Sequence, residues 1–185
     1  YDSANVSKAL KLKFFDVMAG PDLWADELQK FNPQVIVSSP KILVWLTAHA
    51  PLLRPVKVYS AAETLDPVDR QHIERRFGTP LGQIYMATEG LLGVSCRDGT
   101  LHLCDDTMFI ELESAGDGLA SPIITDFSRT TQIMARYRMN DLLRLSDMPC
   151  RCGSPLRAVS EVVGRQDDVF RLNSCEDGKT IEITP

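Results

Sequence analysis

The 185-residue sequence lacks a hydrophobic run long enough to cross a bilayer. Its longest apolar stretch, residues 42–53, is interrupted by Thr47, His49 and Pro51, whereas a membrane-spanning helix needs about 20 apolar residues. Basic clusters, internal repeats, low-complexity tracts and a secretory signal are also missing. The net charge of -5 argues against broad electrostatic binding to nucleic acid or to an anionic membrane. With 44% hydrophobic and 24% charged residues, the composition indicates an ordinary globular protein.

The sequence has five cysteines, an odd number. Because no secretory signal accompanies them, a disulfide framework is not expected. We expect a reduced, cytoplasmic protein in which some cysteines are available to bind metal. Since the first residue is Tyr1, we also expect the chain to be a piece of a longer polypeptide.

The first half of the chain alternates helix and strand patterns. Asp66 caps a predicted helix, Pro67 begins it and Gly78 ends it. Two more helices are predicted over residues 21–31 and 40–50, and strands over residues 34–39, 56–61 and 81–86. The β-branched run in the first of these strands is typical of a buried strand. Strands separated by helices predict a parallel sheet.

The second half consists of strand-like runs separated by turns. The runs cover residues 93–106, 108–114, 121–127, 132–146 and 162–172. They predict mainly antiparallel structure. We therefore expect an α/β protein in which a parallel sheet with flanking helices, residues 1–95, is followed by a mainly antiparallel β subdomain, residues 96–166.

Polar side chains follow one of the predicted strands directly. Thr88 and Glu89 come after the strand over residues 81–86. In a parallel sheet this is the edge where ligands bind. Thr88 could donate to a phosphate oxygen, and Glu89 could hold Mg²⁺ through a carboxylate oxygen. The alternative is a strand followed by an ordinary helix that Thr88 caps.

A second loop is expected at the same edge of the sheet. Ala61 and Ala62, which precede Glu63, are small enough for a flat ring to approach the backbone closely. Tyr85 could offer an aromatic face for stacking. These residues are consistent with a pocket for a flat ring.

Two polar segments of the second half could contact other parts of a nucleotide. Asp141 could accept two hydrogen bonds from a ribose diol, and Arg165 offers a fork suited to phosphate. Asp167 and Asp168 could lie at a hinge. The alternatives are a surface Arg–Asp pair around Asp141 and an ordinary polar turn around Arg165.

Taken in order, these segments resemble the signatures of a known enzyme superfamily. The stretches AAE, YMATEG, RYRMNDL and GRQDD resemble those of the adenylate-forming (ANL) superfamily, especially the phenylacetate–CoA ligase branch and related aryl-acid adenylating enzymes. In that branch the last three resemble YGxTE, RYRTGDL and GRxDD. The resemblance extends from about residue 14 to about residue 170. It implies part of the large N-terminal domain, with residues 167–185 forming a hinge and the start of a small C-terminal domain.

The resemblance implies a role for each matching residue. Thr88 would touch the α-phosphate of ATP, Glu89 would bind Mg²⁺, Arg165 would reach ribose or phosphate, and Asp167 would be the hinge. The nucleotide-binding residues would be Ala61, Ala62, Glu63, Tyr85 and Asp141. The implied reaction joins a carboxylic acid, aromatic by family expectation, to AMP and then passes the acyl group to a thiol of coenzyme A or a carrier protein.

The sequence departs from the family pattern in places. Met86 and Asn140 stand where the family usually has glycine. The Ser/Thr/Gly-rich phosphate loop and the lysine of the small domain have no counterpart in these residues. We expect the loop upstream and the lysine downstream, so the segment alone should be inactive in adenylation.

Four residues of the second half suggest a structural zinc site. A hairpin would place Cys96 opposite His102, and the closely spaced pair Cys150 and Cys152 would complete a tetrahedral set of three thiolates and one imidazole. Similar positions in the phenylacetate–CoA ligase-like branch carry a structural zinc, as the resemblance implies. Cys104 is a rival ligand on the same strand as His102. The alternative is a group of free, buried cysteines.

Two other interpretations stay open. The chain could be a non-catalytic, zinc-stabilised nucleotide-binding or scaffold module, or an unrelated α/β protein whose motif matches arise by chance. Only the first of these would still bind a nucleotide.

Overall fold

A computed structural model describes residues 10–168, 170–173 and 180–183. Three α-helices lie in the described part of the first half: α1 (Ala25–Phe31), α2 (Pro40–His49) and α3 (Pro67–Phe77). They alternate with three strands, β1 (Val35–Ser38), β2 (Lys57–Ala61) and β3 (Leu81–Ala87). The predicted order of helices and strands in this half is confirmed.

The ends of α3 follow from local chemistry. The Asp66 side chain accepts a hydrogen bond from the Val68 amide at 2.6 Å, which satisfies one of the free donors at the helix start. Pro67 occupies the first turn, where its missing N–H costs nothing. Gly78 ends the helix in the left-handed conformation, with φ of 67°.

The described part of the second half consists of strands and one short 3-10 helix, Gln166–Asp168. The strands are β4 (Gly90–Ser95), β5 (Leu101–Leu103), β6 (Phe109–Gly116), β7 (Leu119–Asp126), β8 (Met134–Arg138), β9 (Asp141–Leu145), β10 (Ala158–Arg165), β11 (Phe170–Asn173) and β12 (Thr180–Ile183). The predicted run over residues 132–146 is two strands, since Met139 and Asn140 separate β8 from β9. The Met139 amide leaves the strand pairing and donates to the Pro122 carbonyl at 2.8 Å.

Both halves belong to one sheet of ten strands. Its order is β1-β2-β3-β4-β5-β10-β9-β7-β6, with β8 paired to β7. The β1–β2 and β2–β3 pairs are parallel, and pairing turns antiparallel at β4. Strands β11 and β12 form a separate antiparallel pair. The expected mixed α/β architecture is confirmed.

The prediction that the first strand is buried was wrong. Strand β1 is an edge strand of the described sheet, and its residues alternate between the two faces. Ile36 is buried, but Val35 and Val37 are 51% and 53% exposed. A β-branched run cannot by itself distinguish a strand covered on both faces from one covered on a single face.

Two apolar clusters hold the sheet in place. The first joins the helices to the parallel strands through side chains that include Leu43, Leu46, Val58 and Leu81. The second lies among the antiparallel strands and includes Tyr85, Leu92, Leu103, Ile124 and Leu143. No helix in the described part of the chain is long and apolar enough to cross a membrane.

Candidate functional site

The carboxyl ends of β2 and β3 open onto a cleft of about 320 Å³. Because Ala61 pairs with Ile84 in the parallel register, the loops after both strands lie at one edge of the sheet. The predicted residues that line this cleft are Ala62, Glu63, Tyr85, Asp141 and Arg165. The structure therefore brings together side chains from the loop after β2, from β3 and from the β9–β10 pair.

Tyr85 and Asp141 form the centre of this cleft. The Tyr85 hydroxyl donates to Asp141 Oδ2 at 2.6 Å, and Arg165 Nε lies 3.9 Å from Asp141 Oδ1. Burial, followed by the negative charge of Asp141, raises the pKa of Tyr85 far above its ordinary value. The hydroxyl thus stays protonated and holds the carboxylate in one orientation. The Asp141 side chain keeps 13% of its surface exposed.

Thr88 and Glu89 form the turn between β3 and β4. The alternative of a helix capped by Thr88 was wrong, since Ala87 pairs with Gly90 and the chain reverses directly into an antiparallel strand. Gly90 has φ of 148°, which side-chain-bearing residues rarely adopt. Within the described residues the Glu89 carboxylate has no hydrogen-bond or ion-pair partner, so its oxygens are available to a cation.

The loop after β2 contains a strained residue. Ala62 has φ of 73°, a left-handed conformation that is unfavourable for a residue with a β-carbon. Ala61 is buried at the strand end, while Ala62 and Glu63 border the cleft. Backbone strain of this kind often accompanies ligand sites.

The segment after β10 contacts the segment before β9. The Asn140 side-chain amide donates to Asp167 Oδ2 at 2.6 Å, and the Gln166 amide donates to the Asn140 carbonyl at 2.8 Å. Asp168, rather than Asp167, borders the cleft. The polar turn predicted as a hinge is thereby tied to the residue that precedes Asp141.

The four predicted metal ligands lie together at another part of the sheet. One ligand atom from each of Cys96, His102, Cys150 and Cys152 lies within 4.8 Å of all the others. The Cys96 and Cys150 sulfurs are 3.8 Å apart, and Cys152 Sγ is 3.4 Å from His102 Nε2. Ligand atoms around tetrahedral zinc, with bonds of about 2.0–2.3 Å, are separated by about 3.5–3.8 Å. The spacing therefore fits a metal of this kind.

The surroundings of the cluster orient its histidine and favour a thiolate at Cys150. His102 Nδ1 lies 2.9 Å from the Leu156 carbonyl, a contact that leaves Nε2 as the free ligand atom. Hydrogen bonds, of which the one from the Thr100 side chain contributes most, lower the pKa of the Cys150 thiol to about 6. A thiolate is the form that binds metal. The pKa of the neighbouring Cys152 thiol is raised, despite a hydrogen bond from the Ser154 amide.

Two details of the predicted metal site need correction. His102 is paired with Val94, so Cys96 lies in the turn beyond β4 and not opposite the histidine. Cys104, the rival ligand, does not belong to the described cluster. Cys175 lies outside the described residues.

Comparisons with known proteins place this geometry in context. No family model matches the chain. Protein CapK of Staphylococcus aureus is 27% identical over 126 residues, which are 67% of this chain and 28% of CapK. A solved structure of 2-hydroxyisobutyryl-CoA ligase with R3-HIB-AMP superposes with a TM-score of 0.71 at 17% identity, covering 86% of this chain and 38% of the ligase.

Two further structures agree with the same fold. The anthranilate CoA ligase AuaEII, in complex with anthranoyl-AMP, gives a TM-score of 0.62 at 12% identity and covers 92% of this chain and 36% of AuaEII. The amide bond synthetase McbA of Marinactinospora thermotolerans gives 0.60 at 14% identity, with coverages of 92% and 37%. The chain has the fold of the N-terminal domain of adenylate-forming enzymes. It spans about a third of the length of the proteins that it matches.

The structure also identifies cleft residues that sequence reasoning missed. Gln83 and Thr64 line the cleft beside Tyr85 and Glu63. Gln83 lies two positions before Tyr85 on β3, so the period of two along a strand could have indicated it. Thr64 carries no such signal, because loop residues have no fixed periodicity.

The bond between Tyr85 and Asp141 leads to a prediction. The resemblance assigns Asp141 to the ribose of a nucleotide. On that assignment Tyr85→Phe should weaken AMP binding about 10-fold, since Asp141 loses a charge-assisted hydrogen bond that orients it. Calorimetric titration with AMP would measure the change. Tyr59→Phe on β2 is the matched control, because the Tyr59 hydroxyl makes no hydrogen bond to the described residues. Equal affinities of the two variants would contradict the role of Tyr85.

Proposed function

We propose that this chain is the nucleotide-binding segment of an ATP-dependent carboxylate-activating ligase. The observation that carries the proposal is the Tyr85–Asp141–Arg165 arrangement beside the Thr88–Glu89 turn, at the carboxyl edge of the sheet. Solved proteins of the same fold bear an acyl-AMP, as 2-hydroxyisobutyryl-CoA ligase and AuaEII do. Ligands of open sheets generally bind at this edge.

The proposed roles of the residues follow from their positions. Asp141 accepts hydrogen bonds from the ribose hydroxyls, with Tyr85 and Arg165 fixing its carboxylate. Ala61, Ala62 and Glu63 border the adenine, and Tyr85 contributes part of its ring to that wall. Thr88 donates to the α-phosphate. Glu89 holds Mg²⁺, which would neutralise charge on the phosphates.

The proposed reaction has two steps. A substrate carboxylate oxygen attacks the α-phosphorus of ATP, the bond to the bridging oxygen breaks, and pyrophosphate leaves. A thiolate of coenzyme A or a carrier protein then attacks the acyl carbon, and AMP leaves with the electron pair of the broken bond. The residues of this chain act by positioning and charge stabilisation, which are the main requirements of phosphoryl chemistry. Asp167, joined to Asn140, is the proposed hinge between the two steps.

We further propose an aromatic acid as substrate. Met86 and Ala87 border the cleft next to Tyr85, and an apolar border suits an aromatic ring. AuaEII carries anthranoyl-AMP, whereas 2-hydroxyisobutyryl-CoA ligase carries the adenylate of a small hydroxy acid. A substrate panel must therefore contain both kinds of acid.

The test is carboxylate-dependent exchange of labelled pyrophosphate into ATP by the natural full-length polypeptide. We expect exchange with at least one aromatic acid and a much weaker response to small hydroxy acids. Exchange with a hydroxy acid alone would support the proposed adenylation but contradict the proposal that the substrate is aromatic. Absence of exchange with every acid, from a folded protein that binds AMP, would favour the non-catalytic nucleotide-binding module.

The metal cluster supports a second proposal, a structural zinc ion. Its four ligands fill a tetrahedral set, which leaves no open position for a substrate. Zinc would join the β4–β5 turn to the loop before β10 and so brace the second half of the sheet. Reduced thiolates are needed for this, which suits a cytoplasmic protein. A zinc-braced scaffold without catalysis is the alternative function that this cluster favours.

A further inference from the structure

An arginine that is distant in sequence hydrogen-bonds to the turn that contains Thr88 and Glu89. Arg129 Nη2 donates to the Thr88 carbonyl at 3.3 Å and also contacts the Glu89 carbonyl. Arg129 lies in the loop after β7, about 40 positions further along the chain. Because it binds main-chain oxygens, the side chains of Thr88 and Glu89 stay available to a ligand.

Arg129 is itself held in a fixed orientation. Its Nε donates to Asp126 Oδ2 at 3.2 Å. The other carboxylate oxygen of Asp126 accepts hydrogen bonds from the Ser128 hydroxyl at 2.6 Å and the Ser128 amide at 2.8 Å. The Asp126 side chain is only 9% exposed, and the hydrogen bonds from Ser128 lower its pKa. The carboxylate therefore stays charged and aims the guanidinium at the turn.

The conformation of the turn requires contacts that fix it, and we call the contacts of Arg129 with the two carbonyls of the turn a clamp. The turn has only Thr88 and Glu89 between two strands, and a register shift lies just before it, between Tyr85 and Met86. Gly90 adds an unusual backbone angle. Backbone of this kind keeps its geometry only when its surroundings fix it.

We propose that Arg129 is a positioning residue that fixes the Thr88–Glu89 turn for contact with the phosphates and Mg²⁺. This inference rests on the proposed adenylating function. Neither Arg129 nor the Thr88–Glu89 turn is among the residues that line the described cleft. Because the contacts of Arg129 are to the main chain of the turn, it acts through the turn and not through the substrate.

The test uses Arg129→Met and Arg129→Lys in the natural full-length polypeptide. Arg129→Met should lower the maximal rate of ATP–pyrophosphate exchange about 10- to 100-fold, as expected for a small misplacement of reacting groups. The Mg²⁺ concentration for half-maximal activity should rise, and KM for the acid should stay unchanged. Arg129→Lys should recover only part of the rate, because an ammonium lacks the guanidinium fork.

The matched control is Arg144→Met. Arg144 makes the same kind of contacts: its Nε donates to a Glu161 carboxylate oxygen at 3.3 Å, and its Nη1 donates to the Asp117 carbonyl at 3.1 Å. Asp117 lies in the β6–β7 turn, away from the cleft. The Arg144→Met variant should lose a similar amount of thermal stability, and it should keep its rate of ATP–pyrophosphate exchange and its Mg²⁺ dependence. An Arg129→Met enzyme that matches this control in rate and Mg²⁺ dependence would overturn the proposal.

Amide hydrogen exchange separates this proposal from the adenylating function. In Arg129→Met the amides of residues 87–91 should exchange faster, whereas in Arg144→Met they should not. If the unsubstituted protein has no pyrophosphate exchange, the proposed function fails, and faster amide exchange still establishes Arg129 as the clamp of the turn. Unchanged protection of residues 87–91 would refute the clamp whatever the activity.

Discussion

Glu89→Gln should lower carboxylate-dependent ATP–pyrophosphate exchange by about 100-fold or more. The Glu89 carboxylate lies at the carboxyl edge of the sheet with no partner among the described residues, and a neutral amide is a far weaker ligand for Mg²⁺. The substitution keeps the size of the side chain and the carbonyl that Arg129 contacts, so the turn should remain in place. Rates measured over a range of Mg²⁺ concentrations would show partial recovery at high metal.

The control for this variant is Glu113→Gln. Glu113 is a glutamate of β6 whose ion pair with Arg138 lies on the surface, at 47% exposure. Surface pairs of this kind contribute little, so its exchange rate should match that of the unsubstituted protein. If Glu89→Gln also kept the full rate at low Mg²⁺, Glu89 would not be the metal ligand, and the carry-over of its role from the resemblance would be wrong.

The parts of the fold that sequence reasoning predicted depend on neighbouring residues. Helix α3 begins at Asp66 and Pro67 and ends at Gly78, because caps and helix breakers act within one turn of the chain. The direction of β1, β2 and β3 followed from the helices between them. Such signals are local, and one sequence is enough to read them.

The features that sequence reasoning missed depend on distant contacts. Tyr85 was expected to stack on a base, and nothing in its neighbourhood indicates the bond to Asp141, 56 positions away. Arg129 gave no signal, since its partners at Thr88 and Glu89 come from another hairpin. Exposure of β1 depends on which strands and helices cover it, and a β-branched pattern does not encode that.

The candidate site falls between these two cases. Short motifs such as YMATEG are weak singly, but their order along the chain placed Ala62, Glu63, Tyr85, Asp141 and Arg165, which all border one cleft. The motifs are informative because loops at the edge of a parallel sheet converge, so residues far apart in sequence meet there. The metal ligands are likewise brought together from distant parts of the chain, since hairpins and the β5–β10 pairing place Cys96 next to Cys150.

Cys150→Ser should remove bound zinc and lower the melting temperature by about 10 °C. A structural zinc contributes its binding free energy to folding, and about 3 kcal/mol corresponds to about 6–12 °C for a protein of this size. Elemental analysis of protein purified without chelator should find one zinc per chain, and the variant should contain much less. Chelator should lower the melting temperature of the unsubstituted protein and leave the variant unchanged.

The matched control is Cys104→Ser, which changes a thiol outside the cluster. It should retain zinc, as Cys104 is not among the grouped ligand atoms.

Acid should release the metal, since zinc binds thiolate and neutral imidazole. In the metal-free protein the pKa of the Cys150 thiol is lowered from 9.0 to about 6. The Cys150 thiolate therefore contributes fully to the free energy of unfolding above pH 9.0, and this contribution is lost as the pH falls through about 6. Zinc-free protein with an unchanged melting temperature in Cys150→Ser would show that the four residues are free cysteines and a packed histidine, and the β4–β5 turn would then be braced by packing alone.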